Sequence, residues 1–406
     1  MPHRSLIGSP QNIRTIRHKT GKNDRMNTDQ DNTTSAQTET PPEGTVRGRR
    51  LWNCKTRGLV PYVAGEQPKY RCIKLNTNEN PYPPTPLVAE ALSRFDPEVL
   101  RKYPDPGSDR LRQTLSRCYE IEPERIFLGN GSDEVLALAF QAFFDADRPV
   151  AFADVTYSFY PVYAEGYGIP YTRIPLREDY TLPVDDFAAF PGGLVLANPN
   201  APTGMLLGLA DIRRMLEADP DRLVLVDEAY IDFGGSTALP LLREFDNLLI
   251  VQTVSKSRSL AGLRVGYAFG APGLIEALEC VRDSFNSYTM DAVAQHLAVA
   301  AFEDGEWFET TRKAIIATRE EMVRRLDKLG FRTLPSSANF VFTTHPHFKA
   351  AQLYEGLKEK GIIVRYFNKP RLEDHLRITV GRPEETDILC NALGQLTRTG
   401  CGEDNT

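Results

Sequence analysis

Apolar positions along this chain change their spacing from segment to segment, and those changes divide it into elements. Over "SDEVLALAFQAFF" (132–144) they fall at Val135, Leu136, Leu138, Ala139, Phe140 and Phe143, which predicts a helix buried around much of its circumference. Its Ser132-Asp133-Glu134 start offers N-cap chemistry. Short apolar runs follow at "PVAFA" (149–153), "GLVLAN" (193–198), "RLVLVDEAY" (222–230) and "NLLIVQT" (247–253). Such runs of β-branched and leucine residues, set between helical or turn segments, predict buried parallel strands. "TRKAIIATREEMVRRLDKLG" (311–330) predicts a long amphipathic helix closed by a glycine. After it, "NFVFT", "GIIVRYF" and "LRITVG" predict strands of a smaller α+β unit. The fold class is therefore α/β, with a large central domain and a smaller one toward the C-terminus.

Residues 1–50 break the pattern. They are rich in Asn, Thr, Gln, Ser and Arg and carry 9 Lys/Arg against 5 Asp/Glu. A segment so poor in large apolar side chains cannot offset its ordering entropy by burial, so a disordered leader is expected there. Its arginine-rich start also fits an organelle transit peptide, against which Asp24, Asp29 and Asp31 count, or an overlong start ahead of Met26. The expected organisation is a leader over 1–50, an N-terminal arm or small-domain segment over 51–87, a large domain over 88–305, a small domain over 306–396 and a loose tail over 397–406.

Composition narrows the function classes. A chain of 406 residues with 41% hydrophobic and 25% charged content is long enough for two domains sharing a cleft. No apolar stretch approaches the length of a bilayer span. A net charge of −6 without a basic stripe argues against nucleic acid as a partner. Cys54, Cys72, Cys118, Cys280, Cys390 and Cys401 are scattered, with no C-x-x-C pair. No disulfide framework or zinc site is expected, and a reducing cytoplasm fits. His345 and His347 flank Pro346 with no acidic or cysteine ligand near them in sequence, so no metal site is expected.

In an α/β sheet, ligands gather beyond the carboxyl ends of the strands. Here those ends read "NPNAPTG", "DEAY" and "TVSK". Asp227, closing an apolar strand, is costly to bury unless paired. A protonated heterocyclic nitrogen would serve, and so would an arginine or a turn. Tyr230 could offer its hydroxyl to the same ligand. Lys256, set among Ser255, Ser257 and Ser259, suits either a solvated loop or a nucleophilic amine activated by nearby charge. Arg264 could supply that charge and a fork for phosphate oxygens. "GNGSDE" (129–134) leads from a strand into a helix, as a phosphate seat does and as a tight turn with a serine cap also does.

Taken in order through one domain, "GNGSDE", "TYSFY", "NPNAPTG", "DEAY" and "SKSRSLAGLR" resemble the fold-type I aminotransferases that use pyridoxal phosphate. With "LNTNENPYPP" (75–84), "KYPDP" (102–106), "SSANFVF" (336–342), "GIIVR" (361–365) and "LRITVG" (376–381), the chain resembles the histidinol-phosphate aminotransferases among them, over roughly residues 60–395. The resemblance implies a large domain with a mostly parallel seven-stranded sheet, and a homodimer with a shared active site. Lys256 would hold pyridoxal 5′-phosphate as an internal aldimine. Asp227 would pair with the ring nitrogen, Tyr230 would reach the phenolate oxygen, and Tyr157 would stack on the ring. Ser132 and Asp133 amides, Ser255, Arg264 and, from the other subunit, Tyr103 would hold the phosphate. Asn200 or Asn198 would supply the further cofactor contact that Ala201 lacks. Arg377, Arg365, Tyr82 and Asn339 would bind substrate. Arg377 would serve the carboxylate of a 2-oxo acid acceptor, and Arg365 the phosphate of the amine donor.

The implied reaction carries the amino group of L-histidinol phosphate to 2-oxoglutarate, in histidine biosynthesis. An aromatic amino acid aminotransferase and a phosphothreonine decarboxylase are the rival readings on the same fold. A transaminase-like regulator would need a DNA-binding module that the polar leader cannot form. The chain departs from the family pattern at Ala201, where an asparagine usually precedes "PTG", at Val155, and at Arg258 and Ser259.

Overall fold

The computed structural model of the protein describes residues 46–62 and 65–399. Of the expected leader, residues 1–45 lie outside that range, as do residues 400–406 of the expected tail. The chain divides into two units, one ending at Asn53 and the other beginning at Cys54. In the first, Val46–Arg49 form one helical turn and the Arg49 guanidinium lies over the Trp52 ring.

The N-terminal strand β1 (Ile73–Lys74) is followed by seven strands of the large sheet: β2 (Ile126–Gly129), β3 (Val150–Ala153), β4 (Tyr171–Ile174), β5 (Gly193–Ala197), β6 (Val224–Asp227), β7 (Leu248–Thr253) and β8 (Gly266–Gly270). Their spatial order is β2-β8-β7-β6-β5-β3-β4, and only β8 runs against the rest. Central strands such as β6 and β7 are buried along their whole length, which is why they read as unbroken apolar runs rather than as alternation. Helices cover both faces. Ser132–Phe143 packs Val135, Leu136 and Phe140 against one of them, while Ala292–Glu303, capped by the Asp291 carboxylate on the N–H of Ala294, packs on the other.

A second, four-stranded sheet has the order β12-β13-β10-β9, with β9 (Arg332–Thr333), β10 (Phe340–Thr344), β12 (Arg365–Tyr366) and β13 (His375–Thr379) all antiparallel. The expected single strand "GIIVRYF" is two pieces. Its first half, β11 (Ile362–Ile363), pairs in parallel with β1, and its second half is β12. Segments far apart in the sequence are thereby joined, and residues 76–80, just past β1, pass beside both sheets. The long helix spans Gly305–Lys328, six residues earlier than its apolar period suggests, because Asp304 caps it by accepting from Trp307 N–H. The C-terminal helix runs on through Thr399. Among the described residues no helix is long and apolar enough to cross a membrane.

Candidate active site

Strands β5, β6 and β7 end side by side at the carboxyl edge of the large sheet. Asp227 is the last residue of β6 and is buried. Its Oδ2 accepts from the Tyr160 hydroxyl at 2.7 Å and its Oδ1 from the N–H of Ala229 at 3.2 Å. Burial pushes the carboxyl up to about 6, outweighing both hydrogen bonds. Among the described residues no cation forms an ion pair with it, so its partners are neutral groups only.

Lys256 follows β7 in the turn after Thr253. Its Nζ lies 3.4 Å from the carbonyl oxygen of Thr77 and 5.6 Å from the centre of the Tyr230 ring. Asn80 Nδ2 donates to the carbonyl oxygens of Lys256 (2.9 Å) and Ser257 (3.2 Å), which fixes the backbone that carries the amine. Ser255 is buried and its Oγ accepts from Thr253 Oγ1 at 2.9 Å.

β2 leads to the third component. The helix Ser132–Phe143 is capped by Gly131 (φ 84°) rather than by Ser132, which departs from the cap expected of that serine. The chain turns sharply after Gly129, and only glycine takes that backbone angle without strain. Glu134 reaches back instead, accepting from Asn130 N–H at 2.6 Å. The first-turn N–H groups of Ser132 and Asp133 therefore face outward without intrahelical partners. Arg264, itself left-handed at φ 58°, holds Asp133 Oδ2 at 3.1 Å, and the Tyr157 hydroxyl donates to Asp133 Oδ1 at 2.8 Å. Burial, then the Asp133 charge, push the Tyr157 phenol far up, so it stays protonated as that donor. A Cβ on Gly131 would run into the Arg264 guanidinium, and one on Gly266 into the Gly131–Ser132 backbone. Two glycines thus keep a shallow cradle beside an arginine and a helix N-terminus, a setting for a phosphate group.

The second sheet supplies the opposite wall. Arg365 and Arg377 are directly opposed across the antiparallel pair β12–β13. Arg377 is enclosed: its Nη2 donates to the carbonyl oxygen of Asn76 at 2.8 Å, its guanidinium lies over the Phe340 and Phe367 rings, and its buried Nε has no partner. Desolvation lowers its pKa, and the neighbouring Arg365 charge adds to that. Arg365 also lies over the Phe367 ring, 5.2 Å from its centre.

Asp227, Tyr157, Asp133 and Arg264 are joined through Tyr160 and the Asp133 carboxylate, Lys256 lies against the Tyr230 ring, Arg365 and Arg377 share Phe367, and Ser255 adjoins Lys256 in the chain. The remaining residues of interest have partners of their own. The Asn200 amide is engaged locally, donating to Val155 O (3.0 Å) and Thr203 Oγ1 (2.9 Å) and accepting from Thr156 Oγ1 (2.8 Å). Asn198 is likewise closed on Leu207 through both its amide groups. Ala201 is buried against Ala338 and Phe340, with Tyr230 packed beside them. Asn339 Nδ2 donates to the carbonyl oxygen of Asn78 at 3.0 Å, while its Oδ1 is buried without a partner. Tyr82 packs near Tyr230 with Arg382 over its ring. Tyr103 is 81% exposed and stacks on Tyr288 at the surface.

Sequence reasoning missed three groups. Tyr160, Asp227's donor, was in plain view in "TYSFY", one helical turn past Tyr157. Asn78 Nδ2 donates to the Tyr230 hydroxyl at 3.0 Å, a contact across 152 residues that no local pattern announces. Tyr62 stacks on Phe159 at 4.3 Å between ring centres, with Tyr157 at 6.4 Å. His345, expected to bind no metal, has Nδ1 accepting from His347 N–H and Nε2 at the Leu329 carbonyl.

Taken together, the groups suit a flat, cationic heterocycle carrying a phosphate, next to an amine and opposite an anion-binding wall. Comparison with known proteins agrees. The family model for aminotransferase class I and II matches residues 70–393. The histidinol-phosphate aminotransferase of Aromatoleum aromaticum is 51% identical over 354 residues, covering 86% of this chain and 99% of that protein. That of Pseudomonas syringae pv. syringae is 51% identical over 348 residues, with 86% and 99% covered. The crystal structure of the Sinorhizobium meliloti histidinol-phosphate aminotransferase in complex with pyridoxal-5′-phosphate superposes with a TM-score of 0.72 at 26% identity, over 80% of this chain and 91% of that one. The Clostridium acetobutylicum histidinol-phosphate aminotransferase shares the fold, with a TM-score of 0.75 at 21% identity over 80% and 99%.

Proposed function

The chain belongs to the class I and II aminotransferases, and from that membership we propose that it moves the amino group of L-histidinol phosphate to 2-oxoglutarate, giving imidazole acetol phosphate and L-glutamate. The observation that carries the substrate is the Arg365–Arg377 pair. Like charges directly opposed across strands repel, and the enclosed Arg377 has no carboxylate partner among the described residues. An anionic substrate relieves both costs. The donor's phosphate and the acceptor's carboxylates are such anions, and Phe340 and Phe367 beside the arginines suit an imidazole ring.

The residues fit pyridoxal 5′-phosphate. The Gly131–Gly266 cradle, the Ser132 and Asp133 amides, Ser255 and Arg264 match a phosphate, and the buried Asp227 matches a cationic ring nitrogen. When bound, this cofactor supplies an imine-forming aldehyde and a ring that takes up the negative charge left at the donor's carbon. Asp227 holds a proton on the ring nitrogen, and a cation there lowers the carboxyl's pKa from its elevated value. Tyr230 would offer its hydroxyl to the ring's oxygen, and Tyr157 would lie against the ring. Lys256 Nζ is the base that would take the proton from the donor's amine-bearing carbon and, once protonated, return it two bonds away, on the far side of the amine nitrogen. Arg377 orients the acceptor carboxylate and Arg365 the donor phosphate, so that the reacting carbon faces the amine.

The working protein is a homodimer in the cytoplasm, with Tyr103 reaching the partner's phosphate site. The exposed apolar side chains Val99, Leu100, Tyr103, Phe285 and Tyr288, with Tyr103 stacked on Tyr288, support that association. The 306–396 segment forms the small domain and 88–305 the cofactor-bearing one.

The test is a half-reaction. Cofactor-loaded protein receives L-histidinol phosphate without acceptor, and visible absorbance is followed. A lasting change that 2-oxoglutarate reverses supports the reading. No change with this donor, but one with phenylalanine, makes it an aromatic aminotransferase. Carbon dioxide released from phosphothreonine, with the absorbance restored, makes it a decarboxylase.

A further inference from the structure

Residues 76–80 run between the two walls and touch the reactive groups at four points. Asn76 O accepts from Arg377, Thr77 O faces Lys256 Nζ, Asn78 Nδ2 donates to Tyr230, and Asn80 Nδ2 donates to the Lys256 carbonyl. Asn78 differs from its neighbours in being wholly specified. It is 2% exposed and sits at φ 56°, a left-handed angle that asparagine tolerates and most side chains do not. Its N–H donates to Thr379 Oγ1 at 3.0 Å, and its carbonyl oxygen accepts from Asn339 Nδ2 at 3.0 Å. The Thr379 hydroxyl in turn donates to Asn78 Oδ1 at 3.2 Å. With Oδ1 taken by a hydroxyl donor, the amide has one orientation, and Nδ2 faces Tyr230.

An amide nitrogen only donates. The Tyr230 oxygen must therefore accept from Asn78, and its own proton points elsewhere. We propose that Asn78 is a positioning residue for the reaction: through the Asn78–Thr379–Asn339 network it holds Tyr230 as a hydrogen-bond donor toward the bound ring. The inference rests on the proposed cofactor chemistry. It assigns this role to the segment "NTNEN", which joins the two sheets, so that the second sheet's position reaches the ring through a single hydroxyl.

The variants are Asn78→Asp, Asn78→Ala, Tyr230→Phe and the two doubles, all as cofactor-loaded full-length protein. Aspartate keeps the shape but, when ionised, only accepts, so it draws the tyrosine proton away from the ring. Asn78→Asp is expected to lower the rate of the L-glutamate half-reaction about 10–100-fold with KM changed less than about threefold. It should also displace the pH at which the bound cofactor's visible band titrates by about one unit. In the Tyr230→Phe background either Asn78 change should cost less than about twofold more. Two results overturn the inference. One is a wild-type band titration in both Asn78 variants, with activity falling only in step with melting temperature. The other is losses that multiply with Tyr230→Phe. The band titration and the glutamate half-reaction do not depend on the amine donor, so a wrong donor assignment leaves them intact. A wild-type protein with no visible band would instead mark failure of the cofactor reading itself.

Discussion

On the large-sheet wall of the site, charged groups meet partners inside the fold: Asp133 is held by Arg264 and Tyr157, and Asp227 by Tyr160 and a backbone N–H. On the second-sheet wall, Arg377 Nε and Asn339 Oδ1 are buried with no partner, and two arginines oppose each other across a strand pair. An unfilled buried donor or acceptor costs about 1–3 kcal/mol. A fold keeps such a cost where something that comes and goes repays it. The paired wall suits a resident cofactor that needs a fixed seat, and the wall holding the open Arg377 Nε and Asn339 Oδ1 suits a substrate that must both bind and leave.

Removing the amine between the walls should break the comparison outright. Lys256→Ala is expected to slow turnover by about 10⁴-fold or more, since it removes the proposed base and imine-forming amine together. Single-turnover rates measure this, and a loss within tenfold would remove Lys256 from the mechanism. Asp227→Asn tests the paired wall. It keeps shape and loses charge, so turnover should fall about 10²–10³-fold with cofactor still bound.

The same variant carries a pH signature in the cofactor-free protein. The folded carboxyl is raised from 3.8 to about 6, so the protonated form is the one the fold favours. Below pH 3.8 the group costs folding nothing; the penalty grows as pH rises and is complete above about 6, reaching on the order of 3 kcal/mol. Glu228, raised by burial from 4.5 to about 7, acts in the same direction. Cofactor-free wild type should therefore lose stability between pH 4 and 7 in denaturant titrations, and Asp227→Asn should flatten part of that slope. An unchanged slope would show that Asp227 titrates normally.

Arg377→Lys sharpens the contrast from the other wall. It keeps the charge but loses the planar fork, so KM for 2-oxoglutarate should rise about 10–100-fold with kcat within threefold. A fall in kcat alone would place Arg377 in the chemistry rather than in binding. The smallest effect is expected from Gly131→Ala. The added methyl meets the Arg264 guanidinium at a left-handed angle, costing about 1 kcal/mol or more and weakening cofactor binding roughly tenfold. Equilibrium dialysis reads the latter, and unchanged affinity would mean the cradle is not the phosphate seat.

The large-sheet wall was legible in sequence because its groups sit at strand ends, where an apolar run stops at a polar residue; Asp227 and Lys256 announce themselves in this way. The helix start at Ser132 was legible too, though its capping residue was not. That is because Gly129 and Gly131 shape the turn through backbone angles rather than through a side chain. The second-sheet wall was legible only through resemblance. Arg365 and Arg377 look like surface arginines until β12 and β13 pair and set them face to face. Asn78 and Asn80 were beyond local reasoning altogether, since their partners lie 152 and 176 residues away. The split of "GIIVRYF" between two sheets has the same origin: β1 captures its first half from the far end of the chain.

That capture also bears on when the protein becomes reactive. The bonds joining Asn76 to Arg377 and Asn78 to Thr379 each span 301 residues. A chain leaving the ribosome N-terminus first exposes Lys256 and Asp227 well before Arg377 and Thr379 exist. A nascent polypeptide can thus carry the amine and the carboxylate while lacking the strand that braces them and the fork that selects what they act on. Synthesis itself acts as a safety catch on a reactive lysine, released only when the last strand arrives.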